Sequence, residues 1–195
     1  MLAYEFQYRS FKTILSRRIA MRRPWSRSPT VLIPAAVIFL GGVALLFVFV
    51  ERWTAEEPNW SLIEEGLYQG GLVSKPPPGT QAVLNLCESE DSYQCEIHRW
   101  QAIRDASPAP SLEWLQQQVA FVDGQRQAGR TVFVYCLAGN SRSGMVVTAY
   151  LMQEHNWTRD EALAFARGKR PLTWPNPAFM KLLSEWERTL RRGEP

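Results

Sequence analysis

Histidine is almost missing from this 195-residue chain: its two copies, His98 and His155, stand far apart without ligand-like spacing. A histidine-built metal centre is therefore not expected, and nothing else in the chain implies a metal or another cofactor. Cysteine is scarce as well, with Cys87, Cys95 and Cys136 its three copies. There is no internal repeat and no low-complexity tract, which argues against solenoid and disordered architectures. Beyond the first thirty residues there is no excess of positive charge. Residues 1–30 hold seven basic side chains (Arg9, Lys12, Arg17, Arg18, Arg22, Arg23, Arg27) against Glu5 alone. Removing them from the totals of 22 and 19 leaves 15 basic and 18 acidic residues, a remainder with no nucleic-acid signature.

Charge itself disappears from Val31 to Val50, a run of twenty residues long enough to span hydrocarbon as one helix. The run is too long for a secretory h-region, and the following Glu-Arg-Trp-Thr-Ala offers no Ala-x-Ala cleavage site. The expected organisation is a basic arm (1–30), a single-pass transmembrane helix (31–50), a linker (51–59) and a globular domain (60–191). The basic arm places the N-terminus in the cytoplasm and the domain on the opposite face of the membrane. Phe11, Ile14, Leu15 and Ile19 give the arm a loosely amphipathic stripe. It reads either as a membrane-surface helix or as a mitochondrial-type presequence, which would put the protein in the mitochondrial inner membrane. Met21 is a second plausible start.

From residue 60 short apolar strands alternate with amphipathic helices, predicting an α/β domain with a central, mainly parallel sheet flanked by helices. Ala82–Leu86 reads as a buried strand and Thr131–Tyr135 as the central one. Helices are expected over 112–127, 144–155, 158–168 and 176–191, with Ser111 and Thr158 as N-caps. Thr158 with Glu161 has the capping-box form. Cys87, at the end of an apolar strand, either pairs with Cys95 or is a core thiol beside a surface one.

The most informative stretch is Tyr135-Cys-Leu-Ala-Gly-Asn-Ser-Arg-Ser-Gly144. It sets a cysteine and an arginine either side of five small or polar residues, between an apolar strand and a helix. Such a loop can wrap a phosphate dianion with backbone N–H groups and a helix N-terminus, and Arg142 adds a bidentate donor. The same surroundings favour a thiolate at Cys136, beneath the bound phosphate and aimed at phosphorus.

The string Val-Phe-Val-Tyr-Cys-x-x-Gly-x-Ser-Arg-Ser resembles the signature of the cysteine-dependent dual-specificity phosphatases, and the resemblance extends over roughly residues 60–190. It implies Cys136 as nucleophile, with Leu137, Ala138, Gly139, Asn140, Ser141 and Arg142 holding the phosphate. It also implies Asp105, on the Pro108/Pro110 loop, as general acid. Ser143 matches the family hydroxyl that bonds the cysteine sulfur; a helix-capping role is the other reading. The family places His immediately before the cysteine, whereas this chain has Tyr135, which carries no positive charge. The implied reaction is phosphomonoester hydrolysis through a phosphocysteine, on a phosphorylated protein or a lipid substrate. Ala149–Thr158 resembles the segment after the loop in phosphatases of phosphatidylglycerophosphate. The absence of Lys among Leu137, Ala138 and Asn140 disfavours polyphosphoinositides. Two rival readings are a membrane-anchored phosphate-binding module without turnover, and a rhodanese-like sulfur transferase, which Ser143 and Asp105 disfavour.

Overall fold

The computed structural model describes residues 42–43, 58–90 and 95–193. The chain divides into two compact units, 1–56 and 57–195. Of the first, Gly42 and Val43 are described, both helical and exposed. The expected arm, the transmembrane span as a whole and most of the linker therefore lie outside the described residues. Among the described residues no helix is long and apolar enough to cross a membrane.

The second unit is built on five strands: β1 (Trp60–Glu64), β2 (Leu67–Gly70), β3 (Thr80–Asn85), β4 (Ile97–Trp100) and β5 (Thr131–Tyr135). Their order is β1-β2-β5-β3-β4. The β1–β2 hairpin is antiparallel and turns at Gly66, whose φ of +74° suits a residue without Cβ. The pairs β2–β5, β5–β3 and β3–β4 are parallel, as the alternating pattern predicts. The described residues of this unit also form four helices: α1 (Leu112–Gln127), between β4 and β5, and then α2 (Arg142–His155), α3 (Arg159–Lys169) and α4 (Pro177–Arg192).

Strand alternation decides which side each residue serves. Ala82, Leu84, Val132, Val134 and Cys136 join the large core with buried residues of all four helices. Val83, Phe133, Tyr135 and Cys87 form a second cluster, against Trp60, Tyr68, Val73 and Cys95. Helix α2 is buried from Arg142 through Met152, so it can be apolar on nearly every side. Helix α4 buries Phe179, Leu182, Leu183 and Trp186, and Trp186 Nε1 donates to Ala149 O at 3.0 Å, tying it to α2. The caps predicted from sequence form: Ser111 Oγ accepts from Trp114 N at 3.1 Å, and Thr158 with Glu161 makes both bonds of the capping box. Asn176 caps α4 by accepting from Ala178 N and Phe179 N.

The central place of β5 positions the site. This strand lies between β2 and β3, parallel to both, and in open parallel sheets ligands bind beyond the strands' carboxyl ends. At that edge β2 ends in Gly70 and β3 in Asn85, while β5 delivers Cys136.

Candidate active site

The loop from Cys136 to Ser141 is shaped by what its carbonyls bind. Leu137 O accepts from Leu72 N at 3.0 Å and Asn140 O from Trp174 N at 3.0 Å. Ala138 O accepts from Arg170 Nη2 at 3.2 Å. Gly139 O accepts twice, from Gln69 Nε2 at 3.1 Å and Arg170 Nε at 2.8 Å. Four successive carbonyls are thus held by donors outside the loop. In a planar trans peptide the N–H points opposite to the C=O. The amides of Ala138, Gly139, Asn140 and Ser141 are therefore turned the other way, as an anion nest. Gly139 makes this possible. Its φ is +75°, and a Cβ there would come within 2.4 Å of both Gly70 C and Gly71 N.

Cys136 lies at the foot of this nest and is 1% exposed. Its Sγ is 3.4 Å from Ser143 Oγ, which also lies 3.4 Å from Gly70 O. Ser143 is the second residue of α2, whose N-cap is Ser141, so of its two expected roles the contact with sulfur is the one the geometry contains. The first N–H groups of α2 have no partner within the helix and carry its positive end. Arg142 is buried, with Nη1 donating to Leu86 O at 3.3 Å and Ile103 O at 3.1 Å. Its Nε is buried without a hydrogen-bond partner. A buried charged donor left unpaired costs free energy unless a ligand meets it.

Asp105 comes to the same place from a distant part of the chain. Its Oδ1 accepts from Ser141 Oγ at 2.6 Å and from Asn176 Nδ2 at 2.7 Å. Ser141 Oγ in turn accepts from Asn176 N at 3.0 Å, closing a three-residue knot between loop, acid and α4. Cysteine, arginine and hydroxyl, close together in sequence, are thus joined around one loop by a carboxylate from farther up the chain. Tyr135 does not join them. It faces the opposite side of the sheet, buried and stacked on Phe133 with ring centroids 5.1 Å apart.

Several residues of the site escape a reading of the sequence alone. Gln69, fully buried in β2, bridges Gly139 O and Thr173 Oγ1. Arg170 follows α3 and binds the loop carbonyls; burial lowers its guanidinium pKa, an effect that the negative charge of Cys136 opposes. Asn176 stands in the sequence as the first residue of the last expected helix and not as a partner of Asp105. A polar residue inside a buried strand was the one available signal for Gln69. Cys87 is buried at the end of β3 and Cys95 is half-buried; both are thiols, not a disulfide, matching the core-plus-surface alternative. Leu137 and Trp174, exposed by 60% and 66%, give the rim of the loop an apolar character.

A cysteine under an amide nest, with a buried arginine and a carboxylate on the loop, defines a phosphate-loop hydrolase on an α/β sheet. The chain belongs to the dual-specificity phosphatase family, whose catalytic-domain model matches residues 79–189, and it is a phosphoric monoester hydrolase. It is 29% identical over 139 residues to dual specificity protein phosphatase 1 of Arabidopsis thaliana, covering 67% of this chain and 70% of that protein. It is 34% identical over 111 residues to human dual specificity protein phosphatase 2, covering 56% of this chain and 35% of the relative. Among solved structures, human DUSP28 superposes with a TM-score of 0.63 at 23% identity, over 70% of this chain and 97% of that one. PTPMT1 in complex with PI(5)P gives the same TM-score and identity over 70% and 99%. At that identity both likenesses concern the fold alone.

Proposed function

We propose that this protein is a membrane-anchored, cysteine-dependent phosphatase that hydrolyses phosphomonoesters through a phosphocysteine, acting on phosphorylated Tyr, Ser or Thr side chains. The observation that carries the reading is the unpaired, buried Arg142 Nε beside an outward-clamped loop with Cys136 at its foot. That arrangement supports a bound oxyanion above a nucleophile, which a non-catalytic core cysteine would not require. The membrane anchor rests on the uncharged run 31–50.

In the first step Cys136 Sγ attacks phosphorus, the S–P bond forms and the bond to the leaving oxygen breaks. Asp105 gives that oxygen its proton from Oδ2, since Oδ1 is engaged by Ser141 and Asn176. Water then attacks the phosphocysteine, losing a proton to Asp105. The O–P bond forms, the S–P bond breaks, and the thiolate leaves toward the Ser143 hydroxyl 3.4 Å away. Throughout, the loop amides and Arg142 hold the non-bridging oxygens, where charge is concentrated. The uncharged loop residues Leu137, Ala138 and Asn140, with an apolar rim, suit a substrate of modest charge.

The test is hydrolysis of an aryl phosphate by the full-length chain in detergent with EDTA, beside Cys136→Ser. Turnover by the native chain alone, with vanadate binding kept in Cys136→Ser, is the expected outcome. Vanadate binding without turnover in the native chain would refute the enzyme and leave a binding module. Phosphopeptides compared with phosphatidylglycerophosphate vesicles then identify the substrate class, and exclusive cleavage of the lipid would overturn the phosphoprotein assignment.

A further inference from the structure

We propose that Asn59 is a positioning residue of the phosphate loop: its side-chain carbonyl anchors the Arg170 guanidinium that turns the Ala138 and Gly139 carbonyls away from the anion. The proposal rests on the phosphatase reading above. Asn59 falls in the segment expected from sequence to be linker, yet it is hydrogen-bonded into the catalytic unit. Its Oδ1 accepts from Arg170 Nη2 at 2.6 Å, across 111 positions of sequence. The same guanidinium reaches Gly139 O through Nε and Ala138 O through Nη2. Arg170 ends a long side chain with several rotatable bonds; its paired bonds to the two loop carbonyls orient its plane, and the third acceptor, Asn59, helps hold it there.

Asn59 is itself held rigidly enough to act as that anchor. Its backbone carbonyl accepts from Gly71 N at 2.8 Å. Its amide fills the space beside Gly71, where a Cβ would meet Asn59 Nδ2 at 2.1 Å and Cγ at 2.8 Å. A Cβ on Gly70 would meet Asn59 O at 2.5 Å. Gly70 and Gly71 in turn give the close approach that Gly139 needs. Asn59, the glycine pair, Arg170 and the loop thus form one contiguous set of contacts.

The experiment measures vanadate affinity by titration calorimetry on the full-length chain, together with kcat/KM on an aryl phosphate and Tm. Asn59→Ala should weaken vanadate binding and kcat/KM by about tenfold, the scale of one hydrogen bond to a charged group, with little change in Tm. Asn59→Asp keeps the acceptor and should recover most of the loss. In an Arg170→Met background Asn59→Ala should cost nothing further, because the two residues act through the same contact. If Asn59→Ala does not fold, Asn59→Ser, too short to reach the guanidinium, takes its place. Unchanged vanadate affinity in the breaking variant, equal losses in Ala and Asp, or a loss that persists without Arg170 would each overturn the proposal. A native chain that fails to bind vanadate would instead overturn the phosphatase reading itself.

Discussion

Replacing Asp105 by Asn separates its two jobs, because Asn keeps an Oδ1 acceptor for Ser141 and Asn176 while removing the acidic proton. General acid catalysis contributes on the order of 10²–10⁴-fold when the leaving group needs protonation. Asp105→Asn should therefore slow an alkyl phosphate by at least about a hundredfold. An aryl phosphate, whose leaving oxygen is far less basic, should lose much less. Asp105→Ala removes both bonds at Oδ1 as well. Asp105 is exposed, so each bond is taken at about 0.5–1 kcal/mol, at the low end of the usual range. Two such bonds amount to about 1–2 kcal/mol, or roughly five- to thirtyfold further loss through a displaced Ser141. The assay is steady-state kinetics on paired alkyl and aryl phosphates for native protein, Asn and Ala. Equal losses on the two substrates in Asp105→Asn would remove Asp105 from the acid role. Identical Asn and Ala variants would show that the knot with Ser141 and Asn176 does not position the loop.

Gly139→Ala would drive a Cβ to 2.4 Å from the backbone of Gly70 and Gly71, and should cost kcat/KM at least about a hundredfold by displacing the loop. Retained activity would mean that the loop tolerates another backbone path. Tyr135→His would place an imidazole on the sheet face opposite Cys136, in the buried cluster with Phe133, and should change kcat/KM near neutral pH by less than about threefold; a gain of about tenfold would mean that charge on that face reaches the thiol. Thr158→Ala breaks the capping box of α3 and should lower Tm by about 2–4 °C at neutral pH. The hydrogen bonds from Thr158 hold the Glu161 carboxyl below its ordinary pKa of 4.5. The contribution of Glu161 is therefore full above that value and lost as pH falls through the lower folded-state one. The Tm difference should narrow in acid, and a pH-independent difference would rule out Glu161 as the partner.

Much of this protein is written locally. The amphipathic period of 112–127, the continuous apolar run from Val132 to Tyr135 and the caps at Ser111 and Thr158 specify their elements, because such patterns act within a few residues and caps across three or four. The candidate phosphate loop is legible for the same reason: cysteine, glycine and arginine fall within seven positions, and a strand before and a helix after them set the local geometry. Asp105 is legible only through family resemblance, since a single loop carboxylate carries no pattern of its own.

What tertiary structure alone decided is what converges on that loop from afar. Placing β5 between β2 and β3 brings Gln69 and the Gly70–Gly71 pair against Gly139, and it sends Tyr135 to the face opposite Cys136. The packing of α3 and α4 over the sheet supplies Arg170 to the loop carbonyls and Asn176 to Asp105. Asn59 reaches Arg170 across nearly the whole domain. None of these contacts has a periodic signature, because the free energy that selects them comes from satisfying buried polar groups after the layers have packed. The sequence by itself determined the chemistry that the loop can perform. Only the fold decided which distant side chains hold the loop in the shape that performs it.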